Sequence, residues 1–308
     1  RLKMLYLLTV ADSISTGPMA WSGWTATILR DFFLKVLNIL EKGELATQKI
    51  VEAVAEKKNR IVQFASTKRE EKELQKIFPI MSPRYFLYTA ADDIYHHLKL
   101  YNKLGAAEFI WNIEQSKDAN RRAVTICAKD RPGLISKIAG VFTLNNIDIL
   151  NVQVFTWRND IALDIFNVKP PPDLLFEDEK WKRAKDHLKS ALAGELDLTK
   201  ALKKKISTHG SRKPKFSRKP PQIVVDNTSS SFFTIVEVHT YDFLGLLYSI
   251  TDALYRCGLN IWVAKIATKV DQVVDVFYVR DLNGQKVNLP EQEEKIKTTI
   301  VDMLPKYK

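Results

Sequence analysis

An internal repeat constrains this chain more than any other feature of its sequence. The stretch Asp130-Arg131-Pro132-Gly133-Leu134 returns 112 residues later as Asp242-Phe243-Leu244-Gly245-Leu246. Further along the offset becomes 111, and the lost residue falls near Arg158-Asn159-Asp160, where a hairpin turn can shorten without moving a strand. The repeat therefore predicts two modules of one fold. Its identical positions include Asp130, Gly133, Leu134, Ile138, Ile149, Thr156, Asp164, Phe166 and Val168, matched by Asp242, Gly245, Leu246, Ile250, Ile261, Thr268, Asp275, Phe277 and Val279.

Each copy shows the pattern of two strands, a helix, two more strands and a second helix. In the first copy the strands at 109–114 and 123–128 precede a helix at 134–144, and the last helix covers 177–193. Each helix has one apolar stripe to bury, so both belong on one face of a four-stranded sheet. We predict the α+β class, with two ferredoxin-like modules circularly permuted to ββαββα. A strand at 222–226 could instead return to the first module.

Five segments follow from the pattern along the chain. We predict a helical segment at 1–80, a connecting helix within 81–107, the first module at 108–197, a basic linker at 198–220 and the second module at 221–308. Within the first segment, apolar spacing predicts helices at 24–40 and 49–75. The chain opens on Arg1 rather than Met, inside a predicted helix, which indicates a fragment of a longer protein.

The composition favours a soluble protein inside the cell. No apolar run approaches the roughly 20 residues that a membrane helix needs, and the N-terminus lacks a signal-peptide pattern. Cys127 and Cys257 occupy non-equivalent positions of the repeat, which favours reduced thiols over a disulfide. We therefore expect a cytoplasmic protein without a membrane partner.

The net charge of +11 has a local origin. Nine Lys or Arg and no acid lie between Lys200 and Lys219, a composition that predicts a solvated linker, with RNA or an acidic surface as the alternative partner. RNA-recognition modules share the ferredoxin-like fold and stack bases on strand aromatics. Phe166 and Phe277 are the candidates here, but the Lys/Arg-Gly-Phe-type motif is absent. We expect no nucleic acid.

The repeated loop has the chemistry of an anion and amine site. Pro132 fixes the backbone, and Gly133 removes a side chain just where Leu134 begins a helix, so backbone N–H groups at the positive end of that helix are open to a carboxylate. Asp130 could hold an ammonium group. The alternative is that Asp-x-x-Gly simply caps the helix between strand and helix.

Several stretches together resemble a known family. Asp130-Arg131-Pro132-Gly133-Leu134, the strand at 146–156 and Ala162-Leu163-Asp164-Ile165-Phe166 resemble an ACT domain, a small-molecule-sensing module of amino acid metabolism. Two such modules, preceded by Leu5-Tyr6-Leu7-Leu8-Thr9-Val10-Ala11-Asp12 and by Pro83-Arg84-Tyr85-Phe86-Leu87, resemble the C-terminal part of bifunctional protein-PII uridylyltransferase/uridylyl-removing enzymes. The resemblance implies a glutamine sensor that controls attachment and removal of UMP on the PII protein, with ACT–ACT pairing within the chain or in a dimer.

The same resemblance implies one metal ligand. It matches Asp12 to the last aspartate of the metal site in an HD-type phosphohydrolase domain, part of an enzyme that uses Mg or Mn. The other ligands of that site and the nucleotidyltransferase residues do not occur in this sequence. One carboxylate cannot assemble a divalent metal site, so we expect neither activity and no bound metal from this chain alone.

The second loop departs from the family pattern. It keeps Asp242, Gly245 and Leu246 but lacks the Arg and Pro of the first loop, which makes effector binding there less favourable. Asn260 begins a strand beside the loop, opposite Asp148 of the first copy, and serves either as a polar contact for an effector or as a turn residue.

Two further interpretations compete with these. Asp92, Asp93, His96 and His97 form i, i+4 pairs that could offer metal ligands, but acids at a helix start with partly exposed histidines explain them better. The second alternative is a stand-alone multi-ACT regulator, or the sensing tail of another enzyme such as a guanosine-tetraphosphate synthetase.

Overall fold

The computed structural model describes residues 2–17, 20–21, 25–26, 29, 32–33, 45–81, 83–115, 120–170, 174–209, 220–230, 233–269, 272–287 and 289–305. The chain divides into two compact units, Arg1–Tyr95 and His96–Lys308. Each unit is described by itself below. Within the described residues, no helix is long and apolar enough to cross a membrane.

The first unit is helical. Its helices are α1 (Leu2–Thr16), α2 (Leu45–Val62), α3 (Lys68–Ile77), the 3-10 turn Phe78–Ile80, α4 (Pro83–Tyr88) and the start of α5 (Ala91–Leu104). The helix predicted at 49–75 is therefore two helices. Thr67 separates them, because its hydroxyl accepts a hydrogen bond from the Glu70 N–H and so caps α3. The helix predicted at 24–40 falls largely outside the described residues.

The first module of the second unit is a four-stranded antiparallel sheet with two helices. Its elements are β1 (Phe109–Gln115), β2 (Arg122–Lys129), α6 (Leu134–Leu144), β3 (Ile149–Thr156), β4 (Ile161–Val168), the 3-10 turn Leu174–Phe176 and α7 (Glu177–Ala193). The strand order is β1-β2-β4-β3. The edge strand β1 comes first and forms a hairpin with β2, pairing Phe109 with Ala128. This is the predicted permuted ferredoxin-like order.

The second module repeats this arrangement. Its elements are β5 (Gln222–Asp226), β6 (Thr234–Tyr241), α9 (Leu246–Arg256), β7 (Leu259–Lys269), β8 (Gln272–Asp281) and α10 (Pro290–Met303), with strand order β5-β6-β8-β7. β5 pairs with β6, so the strand at 222–226 belongs to this sheet. Both edge strands carry a register shift at the same place, between Ile149 and Asn151 and between Ile261 and Val263. The repeat in sequence is therefore also a repeat in backbone geometry.

The two modules pack side by side. β3 lies beside β7 and α6 beside α9, and one continuous apolar core joins the modules. Val124 and Phe166 belong to this core from the first module, and Val236 and Phe277 from the second. The loops that follow β2 and β6 lead into α6 and α9. Because these two helices pack against each other, each loop lies beside the other module.

Part of the predicted linker is a helix. Residues 198–209 form α8 (Leu198–His209), while 210–219 lie outside the described residues. Leu198 and Leu202, one helical turn apart, are buried in the shared core. The Lys205 ammonium donates to the Thr143 and Leu144 carbonyl oxygens at 2.9 and 2.7 Å, which caps the C-terminus of α6. The basic composition concealed this amphipathic helix, in which Lys200, Lys203 and Lys204 are exposed while Leu198 and Leu202 are buried.

Candidate functional site

The first loop joins β2 to α6 in a conformation that depends on glycine. Gly133 has φ 78, in the left-handed region, and precedes the first helical residue. The Asp130 N–H donates to the Asp160 carbonyl at 2.8 Å, and the Lys137 N–H donates to the Gly133 carbonyl at 3.0 Å. These bonds fix the loop against the β3–β4 turn and leave the first helical turn directed toward the second module.

Gly133 is also needed for packing between the modules. A Cβ at this position would lie 3.0 Å from the ring of Tyr255 on α9. In the second loop Gly245 has φ 91, and a Cβ there would lie 3.0 Å from Cγ2 of Thr143 on α6. Thr143 and Tyr255 are equivalent in the repeat. Each loop therefore rests on the last turn of the other module's first helix.

A cavity lies where the first loop meets the second module. Its enclosed space is about 20 Å³, and the cleft as a whole, counted with its part open to solvent, is about 360 Å³. The first module contributes Asp130, Arg131, Gly133, Leu134, Ile135, Ser136, Val154, Thr156, Ala162 and Asp164, and the second contributes Thr251, Tyr255, Leu259, Asn260 and Ile261. Neither module alone forms this cavity.

Two carboxyl groups give the cavity its electrostatic character. Burial raises the pKa of Asp130, and hydrogen bonds from the Arg131 backbone, Thr156 and Asn260 partly oppose that rise. The Thr156 hydroxyl lies 3.5 Å from Asp130 Oδ2. Asp164 is fully buried, and burial first and the charge of Asp130 second raise its pKa well above the ordinary value. The cavity therefore favours a ligand with hydrogen-bond donors or positive charge.

Arg131 also lines the cavity, but its guanidinium is bound to other groups. Its Nη2 forms an ion pair with Glu108 at 2.8 Å. Burial, followed by the positive charge of Arg131, lowers the pKa of Lys137 on α6. The guanidinium therefore fixes the outer edge of the loop, while the acidic side of the cavity stays open to a cationic group.

The structure brings together part of the predicted site. Asp130, Arg131, Gly133, Leu134 and Asn260 line the cavity. Pro132 is exposed in the loop, whereas Asp242, Gly245 and Leu246 belong to the second loop and do not line it.

Sequence reasoning missed Asp164, Thr251 and Tyr255. An acid within the otherwise apolar strand Ala162-Leu163-Asp164-Ile165-Phe166 was the available signal for Asp164. Thr251 and Tyr255 reach the cavity only through packing between the modules.

The second loop has a different polar environment. Asp242 lies close to Asp148 of the first module, and Asp148 forms an ion pair with Lys169 at 2.6 Å. Partial burial first and the Asp148 charge second raise the pKa of Asp242, while Lys169 opposes that rise. Here a cation of the chain itself is already placed beside the acids.

The predicted metal ligand lies in the other unit. Asp12 is exposed on α1, and the described ranges contain no group of three His, Cys, Asp or Glu side chains that could hold a metal ion. Asp92 and Asp93 occupy the first turn of α5. His97 is buried rather than partly exposed, and burial together with the neighbouring His96 lowers its pKa to about 4. The helix-start interpretation is thus corrected for His97.

Comparison with known proteins gives two results. Residues 122–174 match the ACT domain family. The chain is also similar to the bifunctional uridylyltransferase/uridylyl-removing enzymes of Gluconobacter oxydans, at 31% identity over 99% of this chain and 32% of that protein, and of Azospirillum brasilense, at 30% identity over 99% and 33%. The chain therefore spans about a third of the length of these relatives.

Solved structures show weaker similarity. Aspartate kinase from Synechocystis covers 60% of this chain, and the chain covers 28% of it, with a TM-score of 0.34 and 13% identity, too low to bear on the fold. The sequence comparisons carry the assignment. The chain contains an ACT domain and, over almost its whole length, is similar to a third of bifunctional uridylyltransferase/uridylyl-removing enzymes.

Proposed function

We propose that the tandem modules bind free glutamine in the cavity and form the glutamine-sensing region of an enzyme that uridylylates and deuridylylates the PII protein. The observation that carries this proposal is the position of Asp130 and Asn260, one from each module, at one cavity lined by both. The similarity to the relatives covers the helical first unit as well as both modules. That extent favours this function over a stand-alone regulator made of ACT modules.

The cavity suits an amino acid with a polar side chain. Backbone N–H groups in the first turn of α6 are available for the ligand carboxylate, because helix N-termini leave their first N–H groups without helical partners. The acids on the opposite side suit the ammonium group. Thr156, Thr251 and Asn260 offer hydroxyl and amide groups to a carboxamide.

Ligand entry requires the modules to move. The enclosed space holds about one water molecule, far less than an amino acid. Glutamine therefore needs a wider arrangement of the first loop relative to Tyr255 and Asn260. A ligand shifts such an equilibrium only through different affinity for the two arrangements, and a site formed between modules provides that difference.

The proposed enzyme requires more than this chain. In this proposal the first unit closes an HD-type domain, with Asp12 as one ligand of its Mg or Mn, and a nucleotidyltransferase domain supplies the opposing reaction in the cytoplasm. The chain itself supplies the sensor, and PII binds through the complete enzyme.

Calorimetric titration of the 308-residue chain tests the sensor. We expect glutamine to bind in preference to glutamate and other amino acids, with one site per chain. Gly133→Val should weaken binding by about tenfold or more, a loss of about 1.4 kcal/mol, because a β-branched residue is strained at φ 78 and meets Tyr255. Gly245→Val is the matched control, since it introduces the same strain at φ 91 in the other loop.

The control variant should bind glutamine with nearly unchanged affinity. A folded wild-type chain that binds no amino acid would contradict the sensor function. Equal losses in both variants would instead show that the cavity beside the first loop is not the site.

A further inference from the structure

Asp164 occupies a position that a folded sheet does not normally give to an acid. It lies in the middle of the central strand β4, paired with Ile126 of β2 and Val154 of β3. Its relative exposure is 0%, and its neighbours Ile126 and Val154 belong to the buried core. Ala162 and Phe166, two residues away on the same face of the strand, are also buried there.

The carboxyl group of Asp164 has no hydrogen-bond partner in the described part of the chain. Both of its oxygens are buried and unsatisfied. A buried polar group without a partner destabilises a fold, so buried carboxyl groups that serve the fold alone are hydrogen-bonded. Asp164 also lines the cavity between the modules, beneath the loop that carries Asp130. Its free hydrogen-bonding capacity is therefore directed at the space where the proposed ligand binds.

We propose that the Asp164 carboxylate accepts hydrogen bonds from the ammonium group of the amino acid effector, so that binding requires the α-amine. This inference rests on the proposed function and adds a specificity-determining residue to it. Asp164 and Asp130 together form the acidic side of the cavity. An ammonium group has three donors and a positive charge, which satisfies both carboxyl groups at once.

Among the described residues that line the cavity, the one cationic side chain is bound to other groups of the chain. The Arg131 guanidinium forms an ion pair with Glu108 at 2.8 Å and donates to the Leu192 carbonyl at 3.5 Å. The other titratable groups facing Asp164 are Asp130 from the loop, Tyr255 from α9 and Cys127 from the neighbouring strand β2. None of these carries a positive charge.

Binding should release a proton. Burial and the charge of Asp130 raise the pKa of Asp164 well above its ordinary value, so the carboxyl group of the empty cavity retains its proton to higher pH than a free aspartate. An ammonium group beside it favours the carboxylate, and the carboxyl proton passes to the buffer. Affinity for glutamine should therefore rise with pH until Asp164 is already ionised in the empty cavity.

Two variants of the full 308-residue chain test the residue. Asp164→Asn keeps the shape but cannot carry the negative charge, and we expect about a tenfold or greater loss of glutamine affinity. Asp275→Asn is the matched control, because Asp275 occupies the equivalent buried position in the second module, away from the cavity. It should change the affinity by less than about twofold. Circular dichroism and thermal unfolding verify that both variants fold.

A second measurement uses the wild-type chain and does not depend on a variant. The probe is 4-carbamoylbutanoate, which is glutamine without its α-amine, titrated alongside glutamine. We expect no measurable binding of the analogue. We also expect the heat of glutamine binding to vary with the ionisation enthalpy of the buffer, as proton release requires, and this variation to become smaller in Asp164→Asn.

The outcomes separate this inference from the proposed function. Glutamine binding with equal affinity to wild type and Asp164→Asn, or equal binding of 4-carbamoylbutanoate, would overturn the role of Asp164 and leave the sensor function intact. Absence of glutamine binding to the wild-type chain would overturn both.

Discussion

The two loop sites have the same backbone and different chemistry. In each, a glycine with positive φ lets the loop approach the other module's first helix, with Gly133 against Tyr255 and Gly245 against Thr143. Both approaches would leave a Cβ 3.0 Å from its neighbour. The backbone of the loop is therefore present twice, and the two copies differ in the side chains around it.

The polar partners differ in charge. Asp130 of the first site faces the neutral Asn260, whereas Asp242 of the second faces Asp148, which is ion-paired to Lys169. The second site thus contains its own ammonium group beside its acids. Because a ligand amine would compete with that internal cation, we expect the first site alone to bind the effector.

The residue equivalent to Lys169 behaves differently in the second module. Arg280 stacks on Phe233 and Trp262, with its guanidinium carbon 4.5 and 5.3 Å from the two ring centroids. This cation–π contact holds the positive charge on aromatic rings. The two sites therefore differ in where each module places one cation, although both sheets have the same strand order.

Thiol reactivity should give the largest contrast between the modules. Cys127 lies on the central strand β2 with 0% exposure, and burial first and the charge of Asp164 second raise its pKa to about 12. Cys257 follows α9 and is partly exposed. We expect iodoacetamide to modify Cys257 at least about a thousandfold faster than Cys127, since Cys127 reacts only after its module opens.

Mass spectrometry of timed samples measures the two rates. In denaturant both thiols should react at similar rates, which provides the control. Comparable rates in the folded chain would mean that the first sheet opens as readily as the end of α9, contrary to the structure.

An ion pair in the first module corresponds in the second to a hydrogen-bond network without an arginine. Arg122, at the start of β2, donates to both carboxylate oxygens of Glu177 at 2.7 and 2.8 Å, with side chains only 11% and 16% exposed. At the equivalent position Thr234 donates to Asn227 at 2.7 Å, and Asn227 donates to Glu293 at 2.6 Å. Both modules thus connect the start of a central strand to the first turn of the last helix.

Removing these contacts should cost different amounts. Arg122→Met should destabilise the first module by about 2–3 kcal/mol, because two hydrogen bonds between charged groups are lost and Glu177 remains partly buried. Thr234→Val should destabilise the second by about 1–2 kcal/mol, because neutral hydrogen bonds are lost, including that accepted from the Val287 N–H. Hydrogen exchange of the β2 and β6 amides reports each module separately.

The pH dependence tests the cause of the first loss. The Arg122 contact lowers the pKa of Glu177 from its ordinary 4.5, so the contact stabilises the fold above that value and is lost as the pH falls through the folded-state pKa. The difference between wild type and Arg122→Met should therefore shrink in acid. The buried His97 titrates equally in both proteins and cancels in the difference. A difference that stays constant into acid would exclude the charge as its cause.

The sequence predicted the backbone better than the site. The 112-residue repeat and the alternating apolar strands were sufficient for two permuted ferredoxin-like modules, because each module is determined by its own periodicity. The helix α8 was hidden, since nine basic residues dominate the composition around it, although Leu198 and Leu202 mark its buried face.

The polar residues of the cavity illustrate the limit. Asp130 and Gly133 could be identified from the loop motif. Asn260 was expected beside the second loop or in a turn, and the structure places it at the cavity beside the first loop. Tyr255 could not be assigned, because its role depends on how one module packs on the other. Asp164 stood out as an acid in an apolar strand, but the sequence did not show that this strand borders the cavity. The apolar periodicity within one module does not show which residues of the other module it will contact.

Exchanging the residues beside Asp130 and Asp242 should produce the smallest effect, a change in the pKa of these two carboxyl groups. Asp148→Asn removes a negative charge beside Asp242 and releases Lys169 from its ion pair. Both changes favour the ionised form of Asp242, so its pKa should fall. Partial burial, the first cause of the raised pKa, remains in the variant, which limits the fall to a part of the total shift.

The reciprocal exchange should act in the opposite direction. Asn260→Asp replaces the amide that donates to Asp130 with a second carboxylate, and Arg280 is held on its aromatic rings, so the pKa of Asp130 should rise. Carbon-detected NMR titration of the two aspartate carboxyl groups measures both shifts. If neither pKa moves, burial alone controls these acids and the neighbouring charges do not distinguish the sites. Opposite changes in the two pKa values would show that Asn260 and Asp148, at equivalent positions of the two modules, set the charge of each site. The first site would then lack a cation of its own beside Asp130, whereas the second has Lys169.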